Sequence, residues 1–395
     1  MFESNMGSSN GKAKFIIPLF VCMTPGVAYS FEPIEIGNTT LEVKGYIKAD
    51  FIRSDVTQSL PGFSAPDGVI IPGFIPLEGS AAAEKEDTTF QARESRLIIS
   101  TKTPTADGDL KTRFEGDFFG SDGTERTSNS DNFRIRVAWA EFGNWGVGQN
   151  WSSFVIFPAL AEQNNFSALG GGASSLRQTA LRYTNGPFQV SFENPETTIT
   201  NLGAGPGSLE TNGDGVPDIF VRYNMKGDSH NTSVIGIGRQ LTDADGNNST
   251  EGFGLAAGGN IKIGSGKDQF KWFVAQGAVG RFVGGNFFAD AEPTSNGEID
   301  ALDTTAINLA YQHWWTPSIR STVIYSYSEA DNSNFVKTTA TGNVNSETTS
   351  YMANVMWNVT PKTRAGIEFS NTERVVESGL KGDLNRVQFS IKQSF

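Results

Sequence analysis

The segment that most limits the possible folds is residues 383–395, where apolar and polar side chains alternate up to an aromatic residue. An alternation with period two predicts a β-strand with one apolar and one polar face. One face carries Asn385, Val387, Phe389, Ile391, Gln393 and Phe395, and the other carries Arg386, Gln388, Ser390, Lys392 and Ser394. An apolar edge strand pairs with other chains unless the sheet closes. A transmembrane antiparallel β-barrel has no free edge, so we predict an all-β barrel in lipid.

The same pattern recurs from the amino-terminal side onward. Leu41–Asp55 alternates apolar residues such as Leu41 and Val43 with polar ones such as Glu42 and Lys44. Similar segments predict about sixteen strands in eight hairpins, which together form one barrel domain over residues 31–395. Connections alternate strictly between short turns and long loops such as 56–88, 283–300 and 330–346. This asymmetry is typical of barrels with short periplasmic turns and long extracellular loops.

Individual side-chain directions follow from the same alternation. In Phe133–Gly143 we expect Ile135, Val137 and Trp139 to face lipid, and Arg134, Arg136, Ala138 and Ala140 to face the lumen. Aromatic residues near strand ends are expected to form interfacial girdles. They include Tyr46, Trp139, Trp145, Trp272, Trp314, Trp315, Tyr325, Tyr327, Trp357, Phe389 and Phe395.

The first thirty residues predict a cleavable signal peptide. Lys12 and Lys14 precede an apolar stretch at 15–27, and Ala28-Tyr29-Ser30 fits a cleavage site. Cys22 is the single cysteine and lies within this segment, so we expect an exported chain with no disulfide and no thiol metal site. The predicted location is the outer membrane, with its lipid as one partner.

Charged residues recur on the predicted inner face. A barrel of this size leaves an aqueous channel, and rings of Arg or Lys select anions. The candidate lumen residues are Lys48, Arg96, Lys111, Arg113, Arg134, Arg136, Arg182 and Arg222, with Glu115, Asp117 and Glu162 as acidic members. Arg320, Arg364 and Arg386 share the inward parity. The alternative is that these cations only pair with neighbouring lumen acids and stiffen the wall.

Two features within this set stand out. Arg134 and Arg136 lie two apart on one predicted inner face with no acid between them, and Arg113 is expected on the neighbouring strand. The stretch 155–175 carries few charges and several small residues, so we expect it to fold into the lumen. Glu162 and the following Gln163–Asn165 would then set the polarity of a constriction.

Composition and motifs exclude several function classes. The net charge of −12 is unfavourable for nucleic-acid binding, so no such partner is expected. The run Glu210–Asp218 approximates a calcium loop, but Val221 stands where an EF-hand needs Glu, which favours a polar turn. His230 and His313 are the only histidines and fall on different predicted strands, so we expect neither metal nor cofactor. An enzyme would require a Ser and an acid beside one of these histidines at the barrel surface.

Several segments together resemble the DcaP-type porins. They are Gly45–Asp50, Phe90–Arg96, Gly108–Phe118, Gly148–Ser152, Arg182-Tyr183 and Glu193–Thr197. The resemblance covers essentially the whole mature chain. It implies a homotrimeric, sixteen-stranded outer-membrane channel of Gram-negative bacteria that favours small anions, notably dicarboxylates and aromatic acids.

Two main functional hypotheses follow. The first is a porin for passive uptake of small anionic solutes. The alternative is a general or carbohydrate-selective diffusion porin, in which rings such as Tyr46 and Phe119 would form an aromatic slide. A surface adhesin or a barrel enzyme is a third class, in which the long loops or the histidines would carry the function.

Overall fold

The computed structural model describes residues 32–395 except 57–58, 61–62, 65–67, 81–82, 84–85, 121–127, 130, 167–175, 204–207, 212–213 and 286. The predicted signal peptide, residues 1–30, therefore lies outside the described residues. None of the helices in the described part of the chain combines the length and the apolar character that a membrane crossing requires.

Sixteen antiparallel strands form one closed barrel in the described residues, as the alternation predicts. The second strand is interrupted by residues 92–95, and both of its pieces pair with the first strand. The strands are β1 (Thr39–Ser54), β2 (Asp87–Gln91 and Arg96–Thr105), β3 (Gly108–Asp117), β4 (Arg134–Phe142), β5 (Trp145–Trp151), β6 (Arg177–Asn185), β7 (Phe188–Glu193), β8 (Asp218–Lys226), β9 (His230–Thr242), β10 (Ser249–Lys262), β11 (Gln269–Gly277), β12 (Thr304–Trp314), β13 (Ile319–Ala330), β14 (Asn345–Asn358), β15 (Thr363–Val376) and β16 (Lys381–Ser394).

The barrel closes between β1 and β16. Their antiparallel register runs from Tyr46 opposite Ser394 to Ser54 opposite Arg386. The main-chain N–H of Phe395 also donates to the carbonyl of Gly45 at 3.1 Å. This pairing satisfies the hydrogen-bonding groups that an open edge would expose in lipid.

The two faces of β1 differ in exposure as expected for a wall between lipid and lumen. Ile47 and Phe51 are 62% and 39% exposed on the outer surface, whereas Lys48, Asp50 and Ile52 are buried inside. The same alternation is present in β13 to β16. The expected apolar exterior is confirmed.

Long connections share one end of the barrel, although the alternation is not strict. The connections at this end are L1 (55–86), L2 (118–133), L3 (152–176), L4 (194–217), L5 (243–248), L6 (278–303), L7 (331–344) and L8 (377–380). The prediction of strict alternation is wrong for L5 and L8, which are tight turns. The described residues also contain short elements outside the barrel strands. These are strands at Ile34–Ile36, Ser59–Leu60, Phe63–Ser64, Thr198–Thr200, Ser208–Glu210, Ala291–Pro293 and Ile299–Ala301, 3-10 turns at Pro72–Phe74, Phe157–Ala159 and Gly280–Phe282, and the α-helix Asn334–Thr339.

A β-bulge in β4 reverses part of the predicted orientation. Glu115 of β3 pairs with Val137 and Gly116 pairs with Ile135, so Arg136 is an extra residue. Such an insertion shifts every later side chain to the opposite face. Val137 and Trp139 consequently point inward and are only 1% and 6% exposed.

The prediction that Val137 and Trp139 face lipid is therefore wrong, as is the prediction that Ala138 and Ala140 face the lumen. Ala138 and Ala140 pair with outward-facing Phe114 and Thr112 of β3. Tyr46, Trp139 and Trp314 lie inside, where Trp314 stacks with inward-facing Arg320, so none of the three belongs to an outer aromatic girdle. Trp145, Trp315 and Trp357 are exposed on the outside as expected.

Part of the interior is a packed apolar core. Inward residues of β8 to β12, including Phe220, Ile235 and Phe273, contact apolar side chains that L3 and L6 bring into the barrel. Phe154 of L3 and Phe282 of L6 are fully buried in this cluster. The expected polar inner face thus holds for only part of the wall, because the infolded loops supply an apolar partner for the rest.

Candidate functional site

Residues 152–166 of L3, here called the shelf, run across the interior of the barrel. Phe154, Ile156 and Ala159 pack into the apolar core formed by β8 to β12. Lys271 of β11 donates to the carbonyl of Leu160 at 2.7 Å. The prediction that this stretch folds into the lumen is confirmed for the described residues, whereas 167–175 lie outside them.

The far end of the shelf is held by strands on the opposite side of the closure. Lys48 of β1 donates to the carbonyl of Asn164 at 2.6 Å, and Gln388 of β16 donates to the same oxygen at 3.0 Å. The carboxylate of Glu368 on β15 accepts the main-chain N–H groups of Asn164 and Asn165 at 2.7 and 2.9 Å. The shelf is therefore tied to both sides of the wall.

Glu162 is the charged anchor of the shelf. Its carboxylate accepts two hydrogen bonds from Arg320 at 2.5 Å each, one from Arg364 at 2.7 Å and one from Gln312 at 2.9 Å. Burial alone would raise the pKa of the Glu162 carboxyl, but the hydrogen bond and positive charge of Arg320, with that of Arg364, hold the pKa below its usual range. Glu162 is thus ionised at neutral pH.

A second charged cluster lies on β2 to β4, where two buried carboxylates serve four arginines. Arg134 donates to both oxygens of Asp117 at 3.0 Å, and Arg136 contacts Glu115 at 3.0 Å and Asp117 at 2.7 Å. Glu115 also lies 3.2 Å from Arg96 and 2.7 Å from Arg113. We call Arg96, Arg113, Arg134, Arg136 and Arg177 the arginine wall.

Arg177 adds a fifth guanidinium group without adding an acid. It lies 4.9 Å from the centre of the Trp151 ring, and Arg136 lies 5.3 Å from the same ring. Among the described residues no carboxylate forms an ion pair with Arg177. The arginine wall therefore holds five guanidinium groups against the two carboxylates of Glu115 and Asp117, which leaves it with a net positive charge.

The arginine wall is partly open to water. The side chains of Arg113 and Arg134 are 47% and 31% exposed. A cavity of about 410 Å³ adjoins the wall at the short-turn end of the barrel. Its lining includes the predicted residues Lys111 and Arg113 together with Glu42, Lys102, Trp139 and Glu141.

Two other predicted residues, Lys48 and Arg222, are held mainly by contacts within the protein. Lys48 is 1% exposed and pairs with Asp50 and Glu94. Arg222 donates to the shelf carbonyls of Ser153 and Val155 at 3.1 and 2.7 Å. In this geometry Lys48 and Arg222 anchor the shelf.

Arg182 lies further along the wall on β6. It donates to the carbonyl of Trp151 at 2.7 Å and lies 3.7 Å from Glu193. Its guanidinium group also packs over the ring of inward-facing Trp139, 5.1 Å from the ring centre. Arg182 therefore fixes the positions of Trp139 and Trp151, which lie next to the arginine wall.

The list of candidate lumen residues drawn from the sequence left out several inward cations. Arg177, Lys271 and Lys392 all face the interior, and Lys392 has the same parity as the predicted Arg386. That parity was the available signal for Lys392. For Arg177 no such signal existed, because it follows directly on the irregular L3.

Comparison with known proteins identifies the family. The family model for the DcaP outer membrane protein matches residues 27–395. The chain belongs to the DcaP outer membrane protein family. It is accordingly an outer-membrane channel protein, with the long loops extracellular and the short turns periplasmic. No curated protein matches the chain significantly.

Solved structures share the fold of this DcaP-family chain at low identity. The outer membrane channel DcaP of Acinetobacter baumannii is 18% identical, covers 93% of this chain and 100% of its own, and superposes with a TM-score of 0.75. The anion-selective porin from Comamonas acidovorans is 11% identical over 90% of this chain and 100% of its own, with a TM-score of 0.55. OmpF of Salmonella typhi in complex with daunomycin is 12% identical over 92% and 100%, with a TM-score of 0.57.

The alternatives based on metal or catalysis gain no support in the DcaP-family chain. The described residues contain no group of three or more His, Cys, Asp or Glu placed to hold a metal ion. In the region 210–218, Asp214 accepts hydrogen bonds from Thr197, which is the behaviour of a polar turn.

His313 does have an acid and a serine nearby on the outer surface. Its Nδ1 lies 2.7 Å from Asp268, and Ser321 is its cross-strand partner. The Ser321 hydroxyl, however, accepts a hydrogen bond from Trp315 at 2.9 Å, and in the described residues no hydrogen bond joins it to His313. Asp268 also accepts from the Trp314 N–H, so this group closes a periplasmic turn.

Proposed function

We propose that this channel mediates passive uptake of small anionic solutes across the outer membrane. The observation that carries the proposal is the arginine wall, where Glu115 and Asp117 pair with four arginines and Arg177 adds a fifth positive charge with no carboxylate partner among the described residues. Uncompensated positive charge in a water-filled constriction attracts anions and repels cations. The net charge of −12 for the whole chain does not oppose this, because selectivity depends on charge close to the solute path.

The shelf narrows the lumen, so that a solute must pass close to the positive charge of the arginine wall. It fills the side of the barrel lined by β8 to β12 and is anchored at Glu162 and Asn164 on the other side. Phe166 at its end contacts the arginine wall, since Arg134 and Arg136 lie 5.5 and 5.3 Å from its ring centre. A solute that passes the shelf is thereby brought within reach of the arginines.

Dicarboxylates and aromatic acids are the solute class we propose. Guanidinium groups bind carboxylates through paired hydrogen bonds, and several adjacent guanidinium groups suit a solute with more than one carboxylate. Trp151 and Phe119 lie beside Arg136 and Arg134, so aromatic and cationic surface are adjacent at this wall. The similar Comamonas acidovorans porin is described as anion-selective.

We propose a homotrimer as the assembly. Strands β3 to β8 are shorter than β13 to β16, so one side of the barrel wall is low. Phe142, Val147 and Phe188 are exposed on the outer surface of that side. A trimer form is described for OmpT of Vibrio cholerae, which is 11% identical with a TM-score of 0.51.

The carbohydrate-selective alternative is less favoured by the geometry. An aromatic slide requires exposed ring faces, but Tyr46 and Phe119 are only 9% and 6% exposed. Arg96 and Lys392 lie over Tyr46, and Arg134 lies over Phe119. These rings therefore stack against cations and offer no free face to a sugar.

The reversal potential in a planar bilayer under a KCl gradient tests the proposal. The wild-type channel is expected to prefer chloride over potassium. Arg134→Ala combined with Arg136→Ala should shift the reversal potential towards potassium, because Asp117 then loses both of its ion-pair partners and Glu115 keeps only Arg96 and Arg113. Lys226→Ala combined with Lys262→Ala is the matched control, since both lysines lie at exposed strand ends. A wild-type channel that prefers potassium, with a reversal potential that the arginine substitutions leave unchanged, would overturn the proposal.

A further inference from the structure

Three cations stand side by side where the barrel closes. In the register of β15, β16 and β1, Lys392 is directly opposite Arg364 on one side and Lys48 on the other. All three have inward parity. Like charges directly opposite each other destabilise a sheet. A row of three such cations is therefore stable only if nearby anions offset the repulsion between neighbouring positive charges.

The two outer members of the row have such partners. Arg364 contacts the carboxylate of Glu162 at 2.7 Å, and Lys48 pairs with Asp50 and Glu94. Lys392 differs. Its ammonium group lies 3.7 Å from the centre of the Tyr46 ring, and among the described residues no carboxylate pairs with it.

Tyr46 holds Lys392 next to the arginine wall. The Tyr46 hydroxyl donates to Glu94 at 3.1 Å, which fixes the ring. Arg96 lies 5.3 Å from the same ring centre and 3.2 Å from Glu115. Lys392, Tyr46, Arg96 and Glu115 thus form a continuous series of contacts that leads into the cluster of Arg134 and Arg136.

We propose that Lys392, with Tyr46 and Arg96, forms a second anion-binding subsite on the periplasmic side of the shelf. The subsite takes one carboxylate group or an anion of similar size. Lys392 supplies the uncompensated charge, and Arg96 belongs to both sites. An anion leaving the arginine wall is received here, so that two weak sites in series speed transit. This inference rests on the proposed anion channel and adds a second station to it.

Single-channel conductance as a function of potassium acetate concentration tests the subsite. Lys392→Met removes the charge and keeps the length of the side chain. It is expected to raise the half-saturating acetate concentration by about tenfold, the loss expected for one charge-assisted hydrogen bond. Lys392→Arg keeps the charge and should restore the wild-type curve. Lys381→Met is the matched control, because Lys381 lies on the same strand but is exposed at the extracellular end, paired with Glu373.

The outcomes separate this inference from the proposed function. A wild-type channel that does not prefer anions would overturn both. A wild-type channel that prefers anions, with Lys392→Met and Lys381→Met giving the same half-saturation, would overturn the subsite alone. Heat-modifiable migration in gels establishes that each variant barrel has folded before its half-saturating acetate concentration is compared with that of the wild type.

Discussion

Glu162 and Arg320 form a two-pronged ion pair between the shelf and β13, with Nε and Nη2 of the arginine each 2.5 Å from a carboxylate oxygen. The two residues are 158 positions apart in the chain. Because Arg364 of β15 binds the same carboxylate, one acid fixes the shelf to two separate strands.

Replacing this acid is expected to loosen the shelf. Glu162→Gln leaves Arg320 and Arg364 without a counter-charge, and loss of one partner of a buried ion pair costs about 3–5 kcal/mol. We expect larger and noisier single-channel currents and faster proteolysis within L3. Glu298→Gln, in an exposed turn of L6, is the control and should leave both measurements unchanged. Quiet currents of wild-type size from the Glu162→Gln channel would contradict this role.

The same ion pair predicts a response to acid. The pKa of Glu162 is held below its usual range, mainly by Arg320, against the effect of burial. Its contribution is therefore fully present above the pKa of an unfolded glutamate, about 4.3, and is lost as the pH falls through the lowered folded-state pKa. We expect steady currents from pH 7 to 5 and increased current noise at more acidic pH. The Glu162→Gln channel should lack this transition, and an identical pH response in both channels would argue against it.

Residues 383–395 and 41–55 were sufficient to predict the barrel, because each carries the complete lipid-and-water alternation in a few residues. The inward apolar residues Phe220 and Phe273 were not predictable in the same way. Their partners Phe154 and Phe282 come from loops whose path depends on the closed barrel. Apolar residues on both faces of a strand indicate a buried strand without naming what covers it.

The bulge in β4 is open to a direct test. Cysteines introduced as Ala138→Cys and Ala140→Cys should carry a fluorophore that a lipid-borne quencher reaches. The matched substitution Val137→Cys should be protected, because Val137 faces inward and is 1% exposed. Quenching at Val137→Cys together with protection at Ala138→Cys would show that β4 follows the simple alternation and has no bulge.

L1 and L6 meet over the lumen through Phe74 and Phe287. The rings stack with centroids 4.0 Å apart, and the N–H of Gly73 donates to the carbonyl of Gly285 at 2.9 Å. Phe287 holds a φ of 54°, which is strained for a bulky side chain. The Phe74–Phe287 stacking and the Gly73–Gly285 hydrogen bond, together called the clasp, therefore hold Phe287 in a backbone conformation that is unfavourable by itself.

Opening this clasp is expected to admit larger solutes. Phe287→Asn suits the left-handed backbone and removes the ring, so it should widen the extracellular entrance without unfolding the loop. Swelling of proteoliposomes in sugars of increasing size measures the change. Phe335→Ala, in the helix of L7, removes a ring outside the clasp and is the control. An unchanged size limit in Phe287→Asn would show that the clasp does not restrict entry.

In the candidate site too, some residues could be predicted from the sequence and others could not. Arg134 and Arg136 were predictable because one short segment places both on the lumen side, and Asp117 pairs with both. The distinction between the open Arg113 and the buried anchor Lys48 was not predictable. It depends on Asn164, which reaches Lys48 only after the shelf has crossed the barrel.

The junction of β1 with β16 also bears on how the protein is made. Because the first strand must find a partner more than three hundred positions later, no closed cylinder exists while the polypeptide is still emerging. Before β1 and β16 pair, the two edges of the sheet expose unpaired main-chain amide groups and apolar side chains to water. We therefore expect that the unfolded chain needs a chaperone while it is in water, and that closure of the barrel accompanies its insertion into the bilayer.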